Sequence, residues 1–267
     1  IMPEETMMAF KNCAENPAFE IDVFEFDLHI TKDDVLVLLH DDTLDRTSNS
    51  AEIFGKEEAR PEEYTYDELR TLNMGAKFAD ENGNMPYKDI DKDNVPDDIK
   101  ILRIEDVLDY LTSAGEYDYI IEIKNSGELG KKGVDILYNI LVDKNLLDCV
   151  IFGSFHEEVS HYVDEKHPDL MRSATIKEVL SFWTAALRND KDFNPAYSVL
   201  QIPFNMPYRI AANLGTAQVI NYAHEKGIAV QYWTINNEKE MEYLLSVGAD
   251  CIMTDYPDKL YKISEQK

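Results

Sequence analysis

In Ile21-Asp22-Val23-Phe24-Glu25-Phe26-Asp27-Leu28, apolar and acidic residues alternate from Phe24 onward, the period-two pattern of a β-strand. An almost wholly aliphatic run, Val35–His40, follows the turn-like Thr31-Lys32-Asp33-Asp34 and reads as the return arm of a hairpin. Outward from this pair, strand-like runs recur at Tyr119–Lys124, Val150–Phe155, Leu170–Thr175, Ser198–Pro203, Ala229–Thr234 and Asp250–Thr254. Between them, apolar residues fall at three- and four-residue spacing. Ile104, Val107, Leu108 and Leu111 make one helical stripe; Val134, Leu137, Tyr138 and Leu141 a second; Met241, Leu244 and Leu245 a third. Gly115, Gly227 and Gly248 stand where such helices should stop. This alternation predicts a parallel sheet covered by helices.

With Val35–His40 set aside as a hairpin arm, seven barrel strands remain, beginning at Val23. Glu4–Ala14 reads as a helix with Pro3 near its start, and in this architecture a helix follows a strand. One further strand is therefore expected upstream of Ile1, making the eight that close a (β/α)₈ barrel. The length of 267 residues suits a single such domain of about 250 residues. Residues 49–100 break the alternation; acidic and rich in turn residues, they are expected to form an inserted excursion over the barrel. Within it Asp89, Asp91 and Asp93 imitate half a calcium loop. Asn94 and Lys100 stand where that loop needs glycine and glutamate, so a solvated loop is expected.

Acidic residues number 52 against 26 basic ones, a net charge of -26, which disfavours nucleic acid and anionic lipid as partners. An anionic small substrate would be repelled too, unless a bound cation reverses the field locally. Cys13, Cys149 and Cys251 lack the spacing of a zinc site or a disulfide framework; buried thiols are expected, favouring a cytoplasmic setting. No apolar run is long enough to span a membrane, although a chain that starts mid-domain leaves a leader segment open.

Glu25 and Asp27 lie two apart on one strand, so both point to the same face, opposite Phe24, Phe26 and Leu28. Two carboxylates so placed need a cation or strong donors between them. A tight turn centred between Lys32 and Asp33 makes partner numbers sum to 65, which sets His40 across from Glu25 as an acid/base candidate. A slip of one residue would carry His40 to the other face. Glu122 and Lys124 repeat the two-residue spacing at a strand's carboxyl end, the functional end of a parallel barrel. Glu122 is a candidate third carboxylate and Lys124 a cationic hand for a phosphate oxygen. His29 shares the parity of Glu25 and Asp27 but is expected at the surface, and nothing nearby supports a role for His156, His161, His167 or His224.

Pro3-Glu4-Glu5-Thr6, Glu25-Phe26-Asp27, Thr31-Lys32-Asp33, His40-Asp41 and Leu44-Asp45-Arg46-Thr47 stand in the order of the glycerophosphodiester phosphodiesterase family, which the chain resembles. Ile121-Glu122-Ile123-Lys124, Ser154-Phe155, Trp233-Thr234-Ile235-Asn236, Gly248-Ala249-Asp250 and Thr254-Asp255-Tyr256-Pro257 extend the resemblance to near the C-terminus. It implies a metal-dependent hydrolase that releases sn-glycerol 3-phosphate and an alcohol from a glycerophosphodiester. It also implies that Glu25, Asp27 and Glu122 hold the divalent cation, that His40 is one catalytic histidine, and that Lys124 and Trp233 lie by the substrate. Glu4 matches a glutamate near the site. Hard oxygen ligands point to Mg²⁺ or Ca²⁺. The partner histidine belongs to a His-Arg-Gly strand end that this sequence does not contain and that the strand count places upstream of Ile1. Leu102-Arg103 also departs from the family's Pro-Thr. Two rival readings are a non-catalytic barrel that binds metal and phosphodiester, and a lysophospholipase D-type phosphodiesterase.

Overall fold

A computed structural model of the protein describes residues 2–204 and 213–265. Phe24, Phe26 and Leu28 bury their side chains on one face of strand β1 (Val23–Ile30), and this face sets the direction of everything that follows. Full burial of such a side chain stabilises by about 1.5–3 kcal/mol, enough to fix which face looks inward. Helix α1 (Met7–Glu15) precedes β1, and the short strand β2 (Leu36–Leu38) returns antiparallel to it. Helices α2 (Ser50–Phe54) and α3 (Tyr66–Leu69) lie in the expected excursion. Then α4 (Ile104–Ala114), β3 (Asp118–Ile123), α5 (Gly127–Lys144), β4 (Val150–Gly153), α6 (Glu157–Lys166) and α7 (Ile176–Arg188) alternate. The chain closes with β5 (Val199–Pro203), α8 (Ala217–Glu225), β6 (Ala229–Trp233), α9 (Glu238–Val247), β7 (Cys251–Ile252) and α10 (Pro257–Ser264).

Strands β1, β3 and β4 pair in parallel, as do β5, β6 and β7. The expected strand Leu170–Thr175 is reduced to two bridges that join these halves, Phe152 to Arg172 and Ser173 to Val199. The reason is local. Thr175 already caps α7 by accepting from the Glu178 N–H, and Glu178 returns the bond to the Thr175 N–H, so little extended chain is left. Between β7 and β1 no strand pairing forms among the described residues.

The stripe of α4, Ile104, Val107, Leu108 and Leu111, is buried as the sequence predicts, as are Val134, Leu137 and Leu141 of α5, while Tyr138 stays half-buried and donates to Asp169. Gly248 ends α9 in the left-handed region at φ 94°, where a side chain would be strained. The expected helix Glu4–Ala14 instead starts at Met7, because Glu5 takes a left-handed φ of 51° and Thr6 caps the helix. The excursion has its own small core, in which Leu44, Leu69 and Leu72 cover Val37 and Leu39 of the hairpin arm. Asp91, Lys92 and Asp93 form a capped turn there, with Asp91 accepting from the Asp93 N–H at 2.9 Å.

The hairpin register differs from the expectation. Leu28 pairs with Leu38 and Ile30 with Leu36, one residue off the predicted pairing. Lys32, Asp33 and Asp34 form a three-residue loop, closed by the Thr31 N–H on the Val35 carbonyl, with Asp34 left-handed at φ 66°. A loop of this length ends in a left-handed residue, and its extra residue shifts every pair. His40 therefore is not the ladder partner of Glu25. The Leu39 N–H donates to the Asp27 carbonyl, and His40 lies just past the ladder in a bend.

Candidate active site

With Phe24, Phe26 and Leu28 committed to the core, the pleat turns Glu25, Asp27 and His29 to the inner face of the array. The β1–β3 register puts Asp27 directly beside Glu122. Lys124 bridges the pair, its Nζ 3.0 Å from Asp27 Oδ1 and 3.1 Å from Glu122 Oε2, with all three side chains largely buried. Its strand end is braced from β4, where Ser154 Oγ donates to the Ile123 carbonyl and His156 Nε2 lies 3.0 Å from the Lys124 carbonyl. His156 thus has a structural role that the sequence did not reveal.

One lysine does not balance these acids. Desolvation pushes the Glu25 carboxyl up to about 8, reinforced by Asp27, although part of the residue is open to solvent. Burial likewise raises Glu122 to about 7 and holds Asp27 above the usual carboxylate range, against the pull of Lys124 on both. Burial also raises Glu5, a residue without an assigned role in the sequence, whose Oε1 accepts from the Asp27 N–H at 3.3 Å. For Lys124 itself, the two carboxylates outweigh burial and raise its pKa. His29 is 2% exposed rather than at the surface, and burial lowers it to about 4, so it is neutral at pH 7.

His40 stands 59% exposed at the mouth, close enough that its charge would lower both Asp27 and Glu122. Its Nδ1 lies 2.8 Å from Asp41 Oδ1. An ionised Asp41 there keeps a proton on Nδ1 and leaves Nε2 to take or give one. Arg46 locks Asp41 in turn, donating from Nε at 2.5 Å, and this bond holds the Asp41 carboxyl below its ordinary value. The same guanidinium forks onto Glu4, with Nη1 2.8 Å from Oε2. Glu4 is thus connected to His40 through Arg46 and Asp41. That relay of four side chains was invisible as a unit in the sequence, although each member sits in a quoted motif.

Across the mouth, Trp233 at the end of β6 meets Phe155 edge to face, with ring centroids 5.9 Å apart. Lys124 Nζ lies 5.9 Å from the Phe155 ring, so Phe155 links the lysine to the tryptophan. A cavity of about 1690 Å³ connects His40, Glu25, Asp27, Glu122, Lys124 and Trp233. Deeper in the barrel, Gln201 Nε2 donates to Gln231 Oε1 at 3.0 Å.

Fit to a divalent cation rests on the donors. Glu5 Oε2 and Glu122 Oε1 are buried oxygens without a hydrogen-bond partner, Asp27 Oδ1 meets Lys124, and all are the hard ligands that Mg²⁺ and Ca²⁺ take. As the side chains stand, no group of three or more His, Cys, Asp or Glu among the described residues is arranged to hold a metal ion. The donor chemistry fits such an ion; its convergence requires Asp27 and Glu122 to turn from Lys124.

Comparison with known proteins follows the same line. A glycerophosphodiester phosphodiesterase of Bacillus altitudinis is 26% identical over 269 residues, covering 99% of this chain and 94% of the relative. One from Caldanaerobacter subterraneus subsp. tengcongensis is 26% identical, covering 98% and 92%. Among solved structures, a glycerophosphodiester phosphodiesterase of Agrobacterium tumefaciens superposes with a TM-score of 0.69 at 20% identity, over 99% of this chain and 94% of the other. A phosphodiesterase of Oleispira antarctica in complex with the product sn-glycerol 3-phosphate gives 0.72 at 19%, over 99% and 92%. The fold is thus the TIM barrel expected from the strand pattern. Family members generally depend on a divalent cation. The sequence profile of the glycerophosphoryl diester phosphodiesterase family matches residues 1–259, and the chain belongs to that family.

Proposed function

We propose that this chain hydrolyses glycerophosphodiesters to sn-glycerol 3-phosphate and an alcohol at the mouth of its barrel. The observation that carries the reading is the Asp27–Glu122 pair on adjacent strands, bridged by Lys124 and facing a histidine oriented by Asp41. Glu25, Asp27 and Glu122 would hold a divalent cation, Mg²⁺ or Ca²⁺. When bound, that ion supplies positive charge against a phosphoryl oxygen.

The chain's own groups do the rest. Lys124 offers its ammonium to another phosphate oxygen and lies where negative charge develops as water adds to phosphorus. The P–O bond to the alcohol breaks, and Nε2 of His40 moves a proton at either the entering water or the departing alkoxide. Glu4, Arg46 and Asp41 position that imidazole. Trp233 and Phe155 form an aromatic wall for the apolar part of the substrate.

No described helix is long and apolar enough to cross a membrane. Three free cysteines support a cytoplasmic setting. The test is a coupled assay for sn-glycerol 3-phosphate released from glycerophosphocholine, with Mg²⁺ or Ca²⁺ and with EDTA. Cation-dependent release supports the reading. Binding of the diester without turnover would favour a non-catalytic barrel, and cleavage confined to lysophospholipids would favour the lysophospholipase D-type reading.

A further inference from the structure

Glu4 and Glu5 are neighbours in the chain and point opposite ways. The turn before α1 is pinned by Thr6, whose Oγ donates to the Pro3 carbonyl at 2.6 Å, and Glu5 adopts a left-handed φ of 51° that glutamate seldom takes. This sends Glu4 outward to Arg46 and Glu5 inward to Asp27, whose N–H donates to Glu5 Oε1. The second oxygen, Oε2, is closed off from solvent and has no hydrogen-bond partner. An orphaned carboxylate oxygen inside a protein is costly, so its placement calls for a counter-charge.

The counter-charges nearby do not suffice. Lys124 is shared between Asp27 and Glu122, and Arg46 is taken by Glu4 and Asp41. Glu5, Glu25, Asp27 and Glu122 therefore line the same cavity, with Lys124 bonded to only two of them. We propose that Glu5 is a fourth carboxylate of the cation site, delivered from the turn before α1 rather than from the barrel strands. The proposal rests on the assignment of Glu25, Asp27 and Glu122 to a cation made above.

Glu5→Gln separates this role from a purely structural one, because the amide keeps the oxygen that accepts from the Asp27 N–H and removes only the charge. Calorimetric titration of Mg²⁺ and of Ca²⁺ into the parent chain, Glu5→Gln and Glu122→Gln is the experiment. The expected result is a Kd about tenfold or more higher for Glu5→Gln, with a melting temperature in EDTA equal to or above that of the parent. If Glu5→Gln melts below the assay temperature, Glu5→Asp retracts the oxygen and is expected to lose affinity in the same way. Affinity of the Glu5 variant within about twofold of the parent, beside a clear loss in Glu122→Gln, overturns the role of Glu5 alone. Parent-like affinity in both variants overturns the cation site itself and the proposal with it.

Discussion

Asp27 and Glu122 are direct register partners on adjacent parallel strands, and the Lys124 ammonium spans them at 3.0 and 3.1 Å. Backbone pairing keeps the two carboxylates neighbours in any rotamer that leaves both in the cavity. Their mutual repulsion is therefore built into the fold, and what relieves it decides the chemistry of the cavity.

Burial of the acidic cluster, reinforced by that repulsion, predicts an unusual pH dependence of stability. Glu25 and Glu122 titrate near 8 and 7 in the folded chain, above the ordinary glutamate value of 4.5. A carboxyl whose folded pKa is raised stabilises the fold fully below its unfolded pKa and loses that contribution as pH climbs through the folded one. His29, lowered to about 4, acts oppositely, but its contribution is complete above its unfolded value of 6.5. Melting temperature in EDTA should thus fall between about pH 6.5 and 8 and level off above that, where both carboxyls are ionised in both states, and saturating Ca²⁺ should flatten the fall. A flat profile in EDTA over that window would contradict the raised carboxyls of the site.

The Asp41 contact makes a separate prediction. Asp41→Asn keeps the shape of the relay but removes the charge that holds the proton on Nδ1 of His40. Turnover should drop about 10- to 100-fold, with cation affinity and KM little changed and the pH profile of kcat displaced. An unaltered pH profile would show that Asp41 only packs.

Arg172 bounds the account from the structural side. It is 3% exposed at the bridge between the two half-sheets and is forked onto both Asp164 and Glu178. Breaking a buried pair by removing one partner costs about 3–5 kcal/mol. Arg172→Ala should lower the melting temperature sharply while Ca²⁺ affinity, measured where the variant is folded, stays that of the parent. A loss of affinity in the folded variant would mean that the bridge also shapes the site.

Much of this was legible in the sequence because period decides face. The alternation in β1 already separated Glu25 and Asp27 from Phe24, Phe26 and Leu28, and the helical stripes of α4 and, Tyr138 apart, α5 are buried as spaced. The failures share one cause, local backbone geometry that side-chain pattern does not encode. Asp34 in the left-handed region lengthened the hairpin loop and shifted the register, and Glu5 in the same region ended the turn before α1 and redirected its own carboxylate. Tertiary closure explains the others. His29 became buried under the excursion side of the barrel, and Arg172 replaced an ordinary strand by a polar joint.

His40 carries the central claim. Its side chain is 59% exposed, so truncation removes little packing and the fold should persist. Proton transfer by a positioned imidazole accounts for about 10²–10⁴ in rate. The decisive measurement is kcat for sn-glycerol 3-phosphate release by His40→Ala at saturating Mg²⁺ or Ca²⁺, taken beside its melting temperature and cation affinity. A loss of about 10² or more with both of the latter unchanged is the predicted result. Turnover within a few-fold of the parent would contradict the assignment of His40 and the mechanism built on it.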